Sequence, residues 1–129
     1  MKKILAYIAF SFTAITSYAT TPLWMRDVQI SPDGTEIVFC YKGDIYNIPT
    51  EGGAATQLTT QDSYECTPVW SPDGKQIAFA SDRNGNFDIF VMPANGGTAR
   101  RLTTHSTNEV PATFTPDGKY ILFSASIQD

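Results

Sequence analysis

The sequence predicts an all-β fold, a β-propeller built of four-stranded antiparallel blades, from three observations. One segment occurs three times, as "SPDGTEIVF" at 31–39, "SPDGKQIAF" at 71–79 and "TPDGKYILF" at 115–123. The copies stand 40 and then 44 residues apart, the length of one four-stranded blade. No segment carries a helical period; apolar runs are short and separated by Gly, Pro and Asn.

The first element in the chain is a leader. Lys2 and Lys3 precede a run from Ile4 to Ile15 that is apolar apart from Ser11 and Thr13, and Ser17-Tyr18-Ala19 supplies small residues at the usual cleavage spacing. Residues 1–19 therefore read as a secretory signal. The run falls short of the roughly 20 residues that cross a bilayer core, so no stable membrane anchor is expected. An exported, periplasmic or extracellular, location follows. Without Lys2 and Lys3 the remainder keeps seven basic against thirteen acidic side chains, which disfavours nucleic acid as a partner.

Residues 20–129 read as a partial propeller with blades at about 22–62, 63–107 and 108–129, the last incomplete. The turn comes first in the argument. Pro72 presets the φ that the second position of a type I turn requires, Asp73 suits the third, and Gly74 then takes φ > 0 at little cost. Val69 and Trp70 before the turn and Ile77 and Phe79 after it make a hairpin. Ser31–Gly34 and Thr115–Gly118 read the same way. The offset of 44 also carries Glu65 onto Glu109, Trp70 onto Phe114 and "DIYNIPTEGGAATQLTT" (44–60) onto "DIFVMPANGGTARRLTT" (88–104). The four residues missing from the first unit fall where "YKGD" (41–44) replaces "SDRNGNFD" (81–88), a difference in hairpin length. In the second unit the predicted strands are about Cys66–Ser71, Lys75–Ser81, Phe87–Pro93 and Thr98–Thr103.

The runs "QIAFA" and "YILFSA" are nearly continuous, as expected where both faces of a blade are covered by neighbours. About two and a half blades are too few for a ring, which typically takes 4 to 8. An uncovered face of about 400 Å² forgoes roughly 10 kcal/mol at about 25 cal/mol per Å². The expectation is that the sequence is the amino-terminal piece of a longer polypeptide whose missing blades complete the propeller. The alternative is a short chain that closes as a homo-oligomer.

The stretch "PVWSPDGKQIAFASDRNGNFDIFVMPANGGTARRLT" (68–103) resembles the WD40-like repeats shared by TolB-type periplasmic proteins and tricorn-type serine peptidases. The opening "TPLWMRDVQISPDGTEIVFC" and the closing "FTPDGKYILFSASIQD" are more similar to the start of a bacterial tricorn-like peptidase. TolB-type proteins place an α/β domain before the propeller, whereas here the first blade begins close behind the leader. The resemblance implies a non-catalytic propeller that screens or conducts peptide or protein substrates towards a downstream hydrolase region. It places the serine nucleophile of such a hydrolase beyond these residues, so no catalytic residue is assigned. The alternative is a TolB-like scaffold that binds envelope proteins.

The residues themselves name no cofactor, metal or catalytic site. Asp82-Arg83-Asn84-Gly85-Asn86-Phe87-Asp88 offers oxygens at alternate positions, as calcium loops do. Its glycine precedes Asn86 instead of following it, no glutamate stands at the twelfth position, and a hairpin with an Asn-Gly turn is the expected reading. His105 is the only histidine. It lies in the polar "TTHSTNE" connection without a Gly-x-Ser-x-Gly elbow, and with Glu109 alone it makes no metal site. Asp33, Asp73 and Asp117 are expected to hold the turns, and Trp70 and Phe114 to pack between blades; Trp24 could pack or stack on a ligand. Cys40 aligns with Ala80 and Ser124, and Cys66 with Val110, so small buried positions explain both, while an oxidising compartment would also permit them to pair.

Overall fold

The computed structural model describes residues 24–126; the leader reading for residues 1–19 lies outside them. Three sheets follow one another along the chain. The first comprises β1 (Met25–Ile30), β2 (Glu36–Tyr41), β3 (Asp44–Pro49) and β4 (Thr56–Gln57). The second repeats it with β5 (Glu65–Trp70), β6 (Gln76–Ser81), β7 (Asp88–Pro93) and β8 (Arg100–Arg101). The third holds β9 (Glu109–Phe114) and β10 (Ile121–Ala125). Every pairing is antiparallel between consecutive strands, so each sheet is a meander and the all-β reading holds.

The repeated turn works as its chemistry predicts, with one addition. Gly74 sits at φ 69° and donates its N–H to the Ser71 carbonyl at 2.9 Å. Asp73 Oδ1 accepts the Lys75 N–H at 3.0 Å and the Ser71 hydroxyl at 2.6 Å. The Ser71 hydroxyl in turn accepts the Gln76 N–H at 2.9 Å, closing the base of the hairpin. Asp33 with Ser31 and Asp117 with Thr115 repeat the arrangement. The hydroxyl residue opening each turn is therefore as much a part of it as Pro, Asp and Gly.

The hairpin lengths differ as the alignment requires. In the first sheet Lys42 and Gly43, at φ 52° and 88°, make a two-residue connection between β2 and β3. In the second, residues 82–87 form a longer loop in which Gly85 donates to the Asp82 carbonyl at 2.8 Å. That bond makes Gly85 the last residue of its turn; an Asn-Gly pair at the centre of a two-residue turn would need φ > 0 at Asn84 as well, and Asn84 has no positive φ.

The fourth strand is shorter than the predicted Thr98–Thr103, with only Arg100 and Arg101 in register against β7. Beyond them the Leu102 N–H still reaches the Ile89 carbonyl at 2.7 Å, but the Ile89 N–H is met by the Thr103 hydroxyl at 2.9 Å. Leu58 and Thr59 treat Ile45 identically in the first sheet. A side-chain oxygen here replaces a ladder carbonyl, which ends the strand while leaving no amide orphaned.

The first strand of each sheet lies across the sheet before it: β5 touches β1, β2 and β3, and β9 touches β5, β6 and β7. Val38, Cys40, Ile45 and Leu58 from the first sheet join Ile77, Phe79, Phe90 and Met92 from the second in one buried cluster. Ala78, Val91 and Phe114 form the core of the next seam. Ile77 to Ala80 and Ile89 to Met92 are buried without alternation because each face of the middle sheet has a neighbour. Among the described residues the first and third sheets do not touch, so the sheets form an open arc.

The turn generates two expected outcomes. Gly74→Ala, with its φ in the left-handed region, is expected to cost about 1 kcal/mol, read from urea unfolding. The Asp33, Asp73 and Asp117 carboxyls lie below their ordinary value of 3.8, first through the Ser31, Ser71 and Thr115 hydroxyls and then through backbone amides. A depressed folded pKa stabilises above the unfolded value and is lost as pH falls through the folded one. The urea midpoint should therefore drop below about pH 4, and Asp73→Ala should flatten that slope; an unchanged slope would show that the turn carboxylates are not responsible.

Candidate functional site

The inner edge of the arc is made by β1, β5 and β9, the strands through which the sheets meet. Two of them carry a bulge that side-chain chemistry does not favour. Asp27 stands at φ 52° and Thr67 at φ 49°, and the register of β1 on β2 and of β5 on β6 slips at these points. Such values are unusual for non-glycine residues and costly for a β-branched one. The aligned residue in β9 is Pro111, whose ring forbids φ > 0. There the slip occurs one residue later, leaving Ala112 as the extra residue between Pro111 and Thr113. Asp27 and Thr67 are joined directly: Asp27 Oδ2 accepts the Thr67 N–H at 3.0 Å, linking the inner strands of the first two sheets.

The first seam opens as a groove at each end. At the end bearing the repeated turns, a groove of about 470 Å³ is walled by Trp70, Glu36, Asn47 and Asn95, with Asp33 and Asp73 at its sides. At the opposite end a groove of about 340 Å³ is lined by Trp24, Arg26, Lys42, Gly43, Tyr64 and Cys40. The Tyr64 ring is fixed there by its contact with Phe87, centroids 6.2 Å apart, and by close packing on Gly43, where an added Cβ would lie 3.1 Å from the ring.

A buried charge network lies on the face of the second sheet that meets the first. Glu65, fully buried, receives the hydroxyls of Ser63 and Ser81 and the guanidinium of Arg83 at 3.2 Å. Arg83 also donates to the Ser81 hydroxyl at 2.9 Å and lies 4.3 Å from the Phe90 ring centroid. Beside it, Arg101 pairs with the fully buried Asp88 at 2.6 Å. One oxygen of each acid, Glu65 Oε2 and Asp88 Oδ1, has no hydrogen-bond partner. The network serves structure: each acid is held by an arginine against an apolar seam, and the Ser63 and Ser81 hydroxyls donate their protons to Glu65.

The loop singled out for calcium spends its oxygens otherwise. Asp82 Oδ1 accepts the Tyr64 N–H at 2.8 Å, Asp88 holds Arg101, and the Asn86 amide donates to the Thr107 and His105 carbonyls at 2.8 and 3.0 Å. Among the described residues no group of three or more His, Cys, Asp or Glu side chains converges as a metal would need. His105 is exposed and its Nδ1 faces the Thr107 hydroxyl at 3.1 Å. Glu109 is buried with Oε2 unpartnered, and the His105 ring meets Thr107 instead. Trp70 packs against the first seam and donates weakly to the Gln29 carbonyl at 3.4 Å, Phe114 packs in the second, and Trp24 is exposed. Cys40 and Cys66 are free thiols at the first seam. Burial pushes both thiols up.

The sequence reading missed the Glu65–Arg83 pair and the inner-strand bulges. Glu65 and Glu109, acids at the same place in an apolar strand, were the available signal for the first. The bulges left none, since Asp27 and Thr67 owe their conformation to a contact between sheets.

A family model described as the tricorn protease N-terminal β-propeller domain matches residues 22–129. An uncharacterized peptidase of Bacillus subtilis (strain 168), YuxL, is 32% identical over 96 residues, covering 67% of this chain and 13% of that protein. Dipeptidyl-peptidase 5 of Porphyromonas gingivalis is 30% identical over 72 residues, 48% of this chain and 10% of that protein. The chain thus spans a small part of the length of these relatives. Among solved structures, a putative TolB from Agrobacterium tumefaciens superposes with a TM-score of 0.75 at 28% identity, over 85% of this chain and 42% of that one. TolB from Acinetobacter baumannii gives 0.68 at 26% identity, over 78% and 26%. The tricorn protease gives 0.63 at 19% identity, over 78% and 11%, a likeness of fold.

The buried network makes its own prediction. Arg83→Met strands Glu65 without its cation and is expected to cost about 3–5 kcal/mol, whereas adding Glu65→Leu should recover most of the loss. Chemical denaturation of the two variants measures the difference; an equal loss in both would mean that packing, not charge, sets the cost.

Proposed function

The chain belongs to the tricorn protease N-terminal β-propeller family, and from that premise we propose that it is the non-catalytic propeller segment of an exported serine-peptidase-like protein, admitting or conducting peptides towards a hydrolase region. The match over residues 22–129 carries this reading, and two similar proteins named as peptidases support it. Export rests on Lys2, Lys3, the apolar run 4–15 and Ser17-Tyr18-Ala19. The arc suits the role in one physical respect: its inner strands leave side chains exposed, from Arg26 and Gln29 on β1 to Ala112 on β9.

The test uses the full-length protein and peptides of graded length. Ala112→Arg should lower kcat/KM for long peptides by about tenfold while leaving a short chromogenic peptide within about twofold. Equal effects on both, or no hydrolysis at all, would overturn the reading.

The likeness to the Agrobacterium TolB over 85% of this chain favours a second reading, a scaffold that binds envelope proteins through the propeller. A stoichiometric partner recovered from envelope extract, together with no peptide hydrolysis by the full-length product, would select it.

A further inference from the structure

The chain has two cysteines, on different sheets and far apart in sequence, and both fall on the same apolar cluster at the first seam. Cys40 comes from the second strand of the first sheet, Cys66 from the first strand of the second. Thr67, next to Cys66, ties the two sides: its N–H is held by Asp27 of the first sheet at 3.0 Å, and its hydroxyl lies 3.9 Å from Cys66 Sγ. Thr67 is also the strained bulge residue that Asp27 fastens to the first sheet, so the backbone beside Cys66 is pinned against the strand pair that carries Cys40. The repeat provides an internal comparison. The equivalent positions at the second seam are Ala80 and Val110, so the apolar contact needs no sulfur, yet the first seam carries sulfur at both.

We propose that Cys40 and Cys66 are a disulfide-forming pair that covalently ties the first blade to the second when a disulfide oxidant is present. Cys66 is partly exposed, and Cys40, buried, borders the groove of about 340 Å³ lined by Arg26 and Tyr64, which gives a small oxidant a way in. With glutathione disulfide, the Cys66 sulfur attacks one glutathione sulfur and releases glutathione. The Cys40 sulfur then attacks Cys66 in the mixed disulfide, forming the Cys40–Cys66 bond and releasing the second glutathione. Two thiols are oxidised, one glutathione disulfide is reduced, and both thiol protons end on the two glutathiones. Both thiols titrate above their ordinary value because they are buried, so the thiolate is scarce at neutral pH and closure should accelerate with pH.

The full-length chain, folded and treated with glutathione disulfide, tests this by mass spectrometry without reduction. The expected result is loss of two hydrogens and a digest fragment joining the Cys40 and Cys66 peptides, reversed by dithiothreitol, with a rate rising about tenfold per pH unit between pH 7 and 9. Cys40→Ala, the residue that the repeat itself carries at position 80, should stop at the Cys66–glutathione adduct. The proposal is overturned if both thiols of the treated wild-type protein still alkylate, if the mixed disulfide persists in it, or if only links between chains form.

Discussion

Every part of this structure answers to one constraint: a sheet with two apolar faces is stable only when both are covered. The middle sheet meets it. Ile77 through Ala80 and Ile89 through Met92 are buried, and Phe79 stacks on Phe90 with centroids 5.9 Å apart inside the first seam. The first sheet carries the same pair as Phe39 and Tyr46, 5.8 Å apart, on its outward side. There Met25, Val28, Ile37, Tyr41 and Ile48 join them around an apolar depression of about 520 Å³. In the third sheet, of which two strands are described, Phe123, the counterpart of Phe79, is 47% exposed against 0%. The same side chain is 5% exposed at Phe39, where Tyr46 stacks on it, 0% at Phe79 and 47% at Phe123, so its burial follows what packs on it and not its identity.

The seams are held by more than apolar contact. A buried acid such as Glu65 costs free energy unless its charge is met, and Ser63, Ser81 and Arg83 meet it from the same sheet. The network therefore stiffens one sheet before that sheet meets its neighbour. Glu109 occupies the equivalent place in the third sheet, where Ala125 stands at the position of Ser81 and offers no hydroxyl; its Oε2 is unpartnered, as Glu65 Oε2 is. The likeness between repeats is close in backbone and turn, and looser in how each blade satisfies its polar interior.

What could be read from the sequence follows from how local each feature is. The Ser-Pro-Asp-Gly turn, the hairpins around it and the shorter first hairpin depend on residues within a few positions of one another, and the strands fall within one or two residues of their expected bounds. Packing of Trp70 and Phe114 between sheets was legible because the repeat aligned them. The fourth strand was overestimated because "RRLTT" has strand-like composition, while Thr103 uses its hydroxyl where a ladder carbonyl was expected. Left-handed Asp27 and Thr67 were invisible, since they answer to contact between sheets 40 residues apart. The charge network shared that fate: Glu65 and Arg83 are 18 residues apart, and nothing local announces that they meet.

The turns also touch one another. A Cβ added to Gly74 would lie 3.8 Å from the Pro32 ring of the preceding turn, and one added to Gly118 would lie 3.7 Å from that of Pro72. Each unit thus brings both halves of a joint, a proline to be leaned on and a glycine that leans. A module made this way can be duplicated or deleted in tandem by unequal recombination and still fit its new neighbour. Lineages built from it are free to vary the circumference of the ring, and hence the width of the opening at its centre, without redesigning the unit.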